Sequence, residues 1–322
     1  IQAVVLLGEA RYELGRFDES EALLAAPVEP YAPGALLVQR ATLRTKNLQW
    51  GLCDWEAALR VVTEAKATVS PDLVDDLVAE EGSVLLFSGH PQAALDVLAA
   101  IEPRSVRTQV QVAMSRGPSL AAVGRTTEGV EVASEGFRLH ATLEDDAGLA
   151  HPGTHLINQA FALVEAGRLG EAEELAALGY EVAVADKVPI AQIWFALVLA
   201  RTDALRGRYL DATRWFREGS STARLHGFTG PLQLALAGLA SAEAVLGHVA
   251  EAVATIEEHD ALAPFPFLGH DKAIGPASAA WAAGDPQRAR DLLRHEADLA
   301  EASSNVTSAA WLLHDAARLG AT

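Results

Sequence analysis

The chain is poor in sulfur, in basic residues and in long apolar runs, and each shortage excludes something. Cys53 is its one cysteine in 322 residues, so no internal disulfide and no zinc site built from several cysteines can form. Lysine and arginine number 25 against 43 aspartates and glutamates, a formal charge of -18 and a pI near 4.9. A surface so acidic repels a phosphate backbone, whose binding relies on basic side chains displacing counterions, so no direct contact with nucleic acid is expected. The longest apolar run, "IAQIWFALVLA" at 190–200, lies between Lys187 and Arg201 and is too short for a membrane span of about 20 residues. With one cysteine and no secretory leader pattern, the expected location is the cytoplasm. Ile1 in place of an initiating methionine leads us to expect a fragment of a longer chain.

Motifs that carry chemistry are missing too. There is no Gly-Lys dipeptide, hence no P-loop lysine, and no HExxH, GxSxG or GxGxxG. His151 and His155 in "HPGTH" have the spacing of two ligands on one helical face, with Asp145 and Asp146 nearby, but Pro152 and Gly153 interrupt that helix. The segment reads instead as a loop and N-cap leading into a helix from Thr154, and the aspartates as solvated surface. The segment is therefore expected to be non-enzymatic, with no metal and no cofactor of its own.

What the sequence does have is a recurring glycine. "EAGRLGEAEELA" at 165–176 places Gly167 inside an otherwise helical run, and the same punctuation recurs at Gly15, Gly89, Gly124, Gly207, Gly247 and Gly284, with Cys53 in "LCDWEAAL" as an eighth copy. The anchors are separated by 38, 36, 35, 43, 40, 40 and 37 residues, the period of a helical solenoid. Five residues after each anchor stand Ser20, Ala58, Ala94, Gly129, Ala172, Ala212, Ala252 and Ala289. Seven before stand Gly8, Lys46, Gly82, Gly117, Ala160, Ala200, Ala240 and Ala277, small except for Lys46. Nine after stands an apolar residue each time, from Leu24 to Leu293, expected to face the next helix pair. Each repeat thus reads as helix, glycine turn, helix, with small residues where two antiparallel helices approach. "DALAPFPFLGHDK" at 260–272 and "HATLEDDAGLAHPG" at 140–153 read as extended connections, the latter a candidate subdomain joint. Gly320, 36 residues after Gly284, leads us to expect a ninth repeat that has begun and been cut.

The small, glycine, small pattern, clearest in "LLGEARYELGRFDESEALL" at 6–24, resembles the tetratricopeptide repeat over essentially the whole chain. The resemblance implies an all-α, right-handed superhelical solenoid of about eight helix pairs spanning 1–322. In that repeat the first helix of each pair lines the concave face, at 13, 10, 6 and 3 residues before the glycine. Those offsets give Arg40, Asn47, Trp50, Trp194, Arg201, Asp271 and Trp281 as candidate binding residues. Tryptophans interleaved with polar groups suit a ligand or partner surface. The phrase "WLLHDAARLG" resembles the helical region of the large ATP-binding, MalT-like regulators of the LuxR family. That resemblance implies a sensor arm for a protein or small-molecule inducer, with ATP and DNA bound only by domains outside this segment. The alternative is a free-standing scaffold gripping a peptide or protein in its groove.

Overall fold

The computed structural model describes residues 1–29, 31–103, 105–144 and 149–320. Eight helix pairs follow one another. They are α1 (Gln2–Glu13) with α2 (Phe17–Leu24), α3 (Gly34–Lys46) with α4 (Trp55–Lys66), α5 (Val74–Phe87) with α6 (Pro91–Leu98), and α7 (Val106–Ala122) with α8 (Thr126–His140). After these come α9 (Gly153–Glu165) with α10 (Leu169–Ala185), α11 (Pro189–Leu205) with α12 (Tyr209–His226), α13 (Thr229–Val245) with α14 (Val249–Asp260), and α15 (Gly269–Ala282) with α16 (Pro286–Ala302). A last helix, α17 (Val306–Arg318), packs on α15 and α16. Among the described residues there is no strand.

The punctuation works as the spacing predicts. Gly15, Gly89, Gly124, Gly167, Gly207, Gly247, Gly284 and Gly320 all have φ between +70° and +89°, and Cys53 takes the same left-handed turn at +54°. In that conformation the residue after the glycine donates its backbone N–H five residues back, as Arg16 does to Arg11 and Arg168 to Leu163, which satisfies a carbonyl at the helix end. The small residues on either side are buried, Ser20, Ala58, Ala94 and Ala172 completely, so helix axes close in without voids.

Lys46, the one departure from that pattern, has a local cause. The C-terminal end of α3 widens into a π-helical turn at Asn47–Gly51, and Asp54 reaches back six residues, to Leu48, instead of five. The inserted residue shifts the register, so the fully buried Thr45 takes the small position. Lys46 turns aside, with Nζ 4.4 Å above the Tyr12 ring. The apolar position nine after the glycine divides its role. Phe216 lies against Gly238 of the next repeat, as expected, whereas Leu24 and Leu98 lie over Gly8 and Gly82 of their own repeats.

Position in the superhelix decides burial. The first helices α11 and α13 are buried almost all round, from Ile193 to Asp203 and from Gly230 to Ala240. They are enclosed by a second helix outside and by other turns of the chain inside. The superhelix is tight enough for distant repeats to touch. Phe17 lies 6.3 Å from Phe228, Cys53 Sγ 3.3 Å from Thr229 Oγ1, and Thr307 Oγ1 donates to the Ala122 carbonyl over 3.3 Å.

Candidate functional site

The connection from α14 to α15 is exposed at Ala261, Ala263 and Pro264 and then folds inward. Residues 261–268 turn into the concave side, where Phe265 is fully buried with its ring 5.8 Å from Trp50 and 5.6 Å from Trp55. Phe267 packs on Phe87 at 4.8 Å and Trp194 at 6.4 Å, and the Phe265 N–H donates to Gln233 Oε1 over 2.8 Å. Trp50 and Trp194 meet edge to face at 6.0 Å. Two of the sequence-predicted residues therefore come together, but as walls around an inward-folded segment of the same chain. Two phenylalanines alternating with prolines in "PFPF" were the available signal, because a solvated loop has no use for so much apolar surface.

Arg40 and Asn47 lie in the first repeats, away from the cavity described below. Arg40 Nη2 donates to the Ala26 carbonyl at 2.7 Å, and Asn47, fully buried, donates through Nδ2 to the Phe17 carbonyl at 3.1 Å. Both tie α3 and its π turn to the first helix pair.

Arg201, Asp271 and Trp281 converge on a cavity of about 670 Å³ between the first helices of the C-terminal repeats. Arg201 is 6% exposed. Its Nη1 lies 2.7 Å from Glu165 Oε1 on α9 and its Nε 2.9 Å from Asp271 Oδ1 on α15, both contacts off the N–H axes. Burial opposes the charge on the guanidinium, but Asp271 and Glu165 outweigh it and hold Arg201 cationic. Glu165 Oε2 in turn accepts from Trp311 Nε1 over 3.0 Å, joining α9 to α17 across 146 residues of sequence.

A second cluster borders the same space. His270 Nε2 is 3.2 Å from Asp315 Oδ2, and Arg318 Nη1 is 3.2 Å from Asp315 Oδ1. Burial alone would raise the Asp315 carboxyl, yet His270, Arg318 and His314 prevail and hold it below the usual range. Glu165, His270, Trp311 and Asp315 escaped the sequence reading. Glu165 lies only two residues before its glycine, outside the offsets of 13, 10, 6 and 3.

The "HPGTH" pair separates. His151 Nδ1 accepts from the Gly153 N–H at 3.1 Å, at the start of α9, while His155 is fully buried with its ring 5.5 Å from that of His140. Asp145 and Asp146 lie outside the described residues. Burial, with His140 beside it, pushes His155 down to about 4. An unfolded histidine titrates near 6.5, so the unfolded chain binds the extra proton, and stability present above that pH is lost as pH falls from 6.5 toward 4, by about 3 kcal/mol at most. His155→Leu is expected to flatten that part of a thermal-melt pH profile, and an unchanged slope would assign it to other groups.

Among the described residues no group of three His, Cys, Asp or Glu side chains could hold a metal ion. None of the described helices is long and apolar enough to cross a membrane.

No protein-family model matches the chain, and no curated protein does. Solved structures do resemble it. A Rap protein complexed with Competence and Sporulation Factor superposes with a TM-score of 0.58 at 13% identity, over 99% of this chain and 97% of that one. Aspartyl phosphate phosphatase F from Bacillus subtilis gives 0.52 at 11% identity, covering 99% and 94%. A signal-transduction ATPase with numerous domains from Pyrococcus horikoshii, which carries a tetratricopeptide repeat sensor, gives 0.56 at 12% identity, covering 98% of this chain and 48% of that one. At these identities the likeness is one of fold: the chain is an all-helical solenoid of tetratricopeptide-like repeats.

Proposed function

We propose that this chain is a sensing domain, acting by binding and not by catalysis, whose ligand site is the cavity at Arg201, Asp271 and Trp281. The observation that carries this reading is the closure between Glu165 and Trp311. A ligand in the cavity touches α11, α13, α15 and α17 at once, and so has a differential effect on open and closed forms of the superhelix, which is what coupling requires. We place the domain in an ATP-dependent, LuxR-type transcriptional regulator. The Pyrococcus ATPase with a tetratricopeptide sensor, matched across 48% of that longer chain, supports this context by analogy of fold.

The scaffold alternative is weaker on one specific point. An extended partner segment would have to displace residues 261–268, and Phe265 is fully buried there. A screen of small metabolites, read by melting temperature and hydrogen exchange, is expected to yield a compound that slows exchange in α15 and α17. A library that moves neither helix overturns the sensing role. Flanking coding sequence with GxxxxGK[ST] upstream and a basic helix-turn-helix downstream is expected for the regulator; a stop codon just after a capping helix instead assigns the chain to a scaffold.

A further inference from the structure

The cavity also carries information about what it takes, an inference that rests on the sensing role proposed above. We propose that its ligand is a small organic cation, an ammonium or guanidinium group joined to an apolar body.

Charge is the first argument. Two carboxylates, Asp271 and Asp315, and two guanidiniums, Arg201 and Arg318, line the cavity, and Glu165, outside the lining, shares Arg201 with Asp271. Each lining guanidinium already faces a carboxylate, so an incoming anion finds no unpaired cation, whereas an incoming cation adds a partner to carboxylates already present.

Geometry says which carboxylate is available. Glu165 is committed on both oxygens, to Arg201 and to Trp311. Asp315 is committed likewise, to His270 on one oxygen and to Arg318 and His314 on the other. Asp271 engages Arg201 through Oδ1 alone, and its side chain is 18% exposed. Oδ2 is thus the acceptor left for a ligand, and a charge-assisted bond from an N–H is the strong way to fill it.

The rest of the wall fits an apolar body beside that charge. Phe161, Trp281 and Trp311 line the cavity, with faces that attract cations as well as apolar groups. Leu197, Leu234 and Ile274 complete an aliphatic floor. Trp281, 44% exposed, marks the mouth. The volume lies within the range of small-molecule sites, about 300–1,000 Å³.

Three probes of one shape and different charge test this: 4-phenylbutylamine, 4-phenylbutan-1-ol and 4-phenylbutyrate, titrated by calorimetry into the intact chain. For fragments of this size the amine is expected to bind with a roughly millimolar Kd, about tenfold tighter than the alcohol or the acid. Asp271→Asn, which keeps shape and leaves Arg201 paired with Glu165, is expected to erase the preference. Glu56→Gln on the exposed face of α4 is expected to preserve it. Should Asp271→Asn fail to fold, Ile274→Trp narrows the cavity and is expected to weaken the amine about tenfold. Acid or alcohol binding as tightly as the amine overturns the cation while leaving the sensing role intact. So does a folded Asp271→Asn that keeps the preference, or an amine that binds Ile274→Trp as it binds the parent. Failure of all three probes also overturns the cation, and the sensing role then stands or falls on the metabolite screen.

Discussion

Arg201→Met is expected to destabilise the chain by about 3–5 kcal/mol at pH 7, because removing one partner of a buried ion pair strands the charges it balanced. Two carboxylates are stranded here. Glu165 and Asp271 approach the guanidinium at 2.7 and 2.9 Å, and all three side chains are largely shielded from water. Neither carboxylate then keeps the cation it faces, and the deficit is expected at pH 7. The triple variant Arg201→Met/Glu165→Gln/Asp271→Asn removes all three charges at once and is expected to recover most of the loss, since burying neutral amides costs far less than burying unpaired charges. Urea denaturation at pH 7 measures both effects. A single-variant loss below about 1 kcal/mol would show that the pair is solvated and no stronger than a surface salt bridge.

The fold was legible because it is local and repeated. A left-handed turn needs glycine, a close helix crossing needs a small side chain, and each requirement recurs every 35 to 43 residues, so chance coincidence at one position is corrected by the others. Even Cys53 read correctly as a turn residue, since spacing placed it there regardless of its side chain. Lys46 shows where the method stops. Its mismatch was visible, but the π turn at Asn47–Gly51 inserts one residue inside an otherwise helical pattern, and the backbone bond from Asp54 to Leu48 reveals the shift.

The site was half legible for a related reason. Offsets within a repeat say which face of a helix looks inward, and they gathered Arg201, Asp271 and Trp281 onto one cavity. They say nothing about which repeats meet across the superhelix, because that depends on small rotations summed over many repeats. The link from Trp311 to Glu165 and the inward turn of residues 261–268 are both consequences of that sum. Arg40 and Asn47, picked by the same offsets, sit instead where α3 meets the first helix pair, and there they bond to backbone carbonyls.

Gly275→Ala is expected to cost about 3 kcal/mol, at the upper end of overpacking penalties, and to lower the melting temperature by roughly 5 °C. A Cβ on Gly275 would stand 2.3 Å from the Ala237 carbonyl oxygen and 2.6 Å from its Cα, so the obstacle is the backbone of α13 and no rotamer change relieves it. Gly167→Ala is the matched control. Its φ of +71° strains any L side chain, but nothing lies within 4 Å of the new methyl, so the expected loss is only about 1 kcal/mol. The two glycines thus separate steric from torsional demand. Gly275 has a further consequence, because α15 also carries His270, Asp271 and Ile274 on the cavity wall. Pushing α15 off α13 displaces Asp271 from Arg201, so Gly275→Ala is expected to weaken 4-phenylbutylamine binding as well as stability. Equal losses in the two variants would mean that α13 and α15 can slide apart freely, and that the cavity between them is not held by their packing.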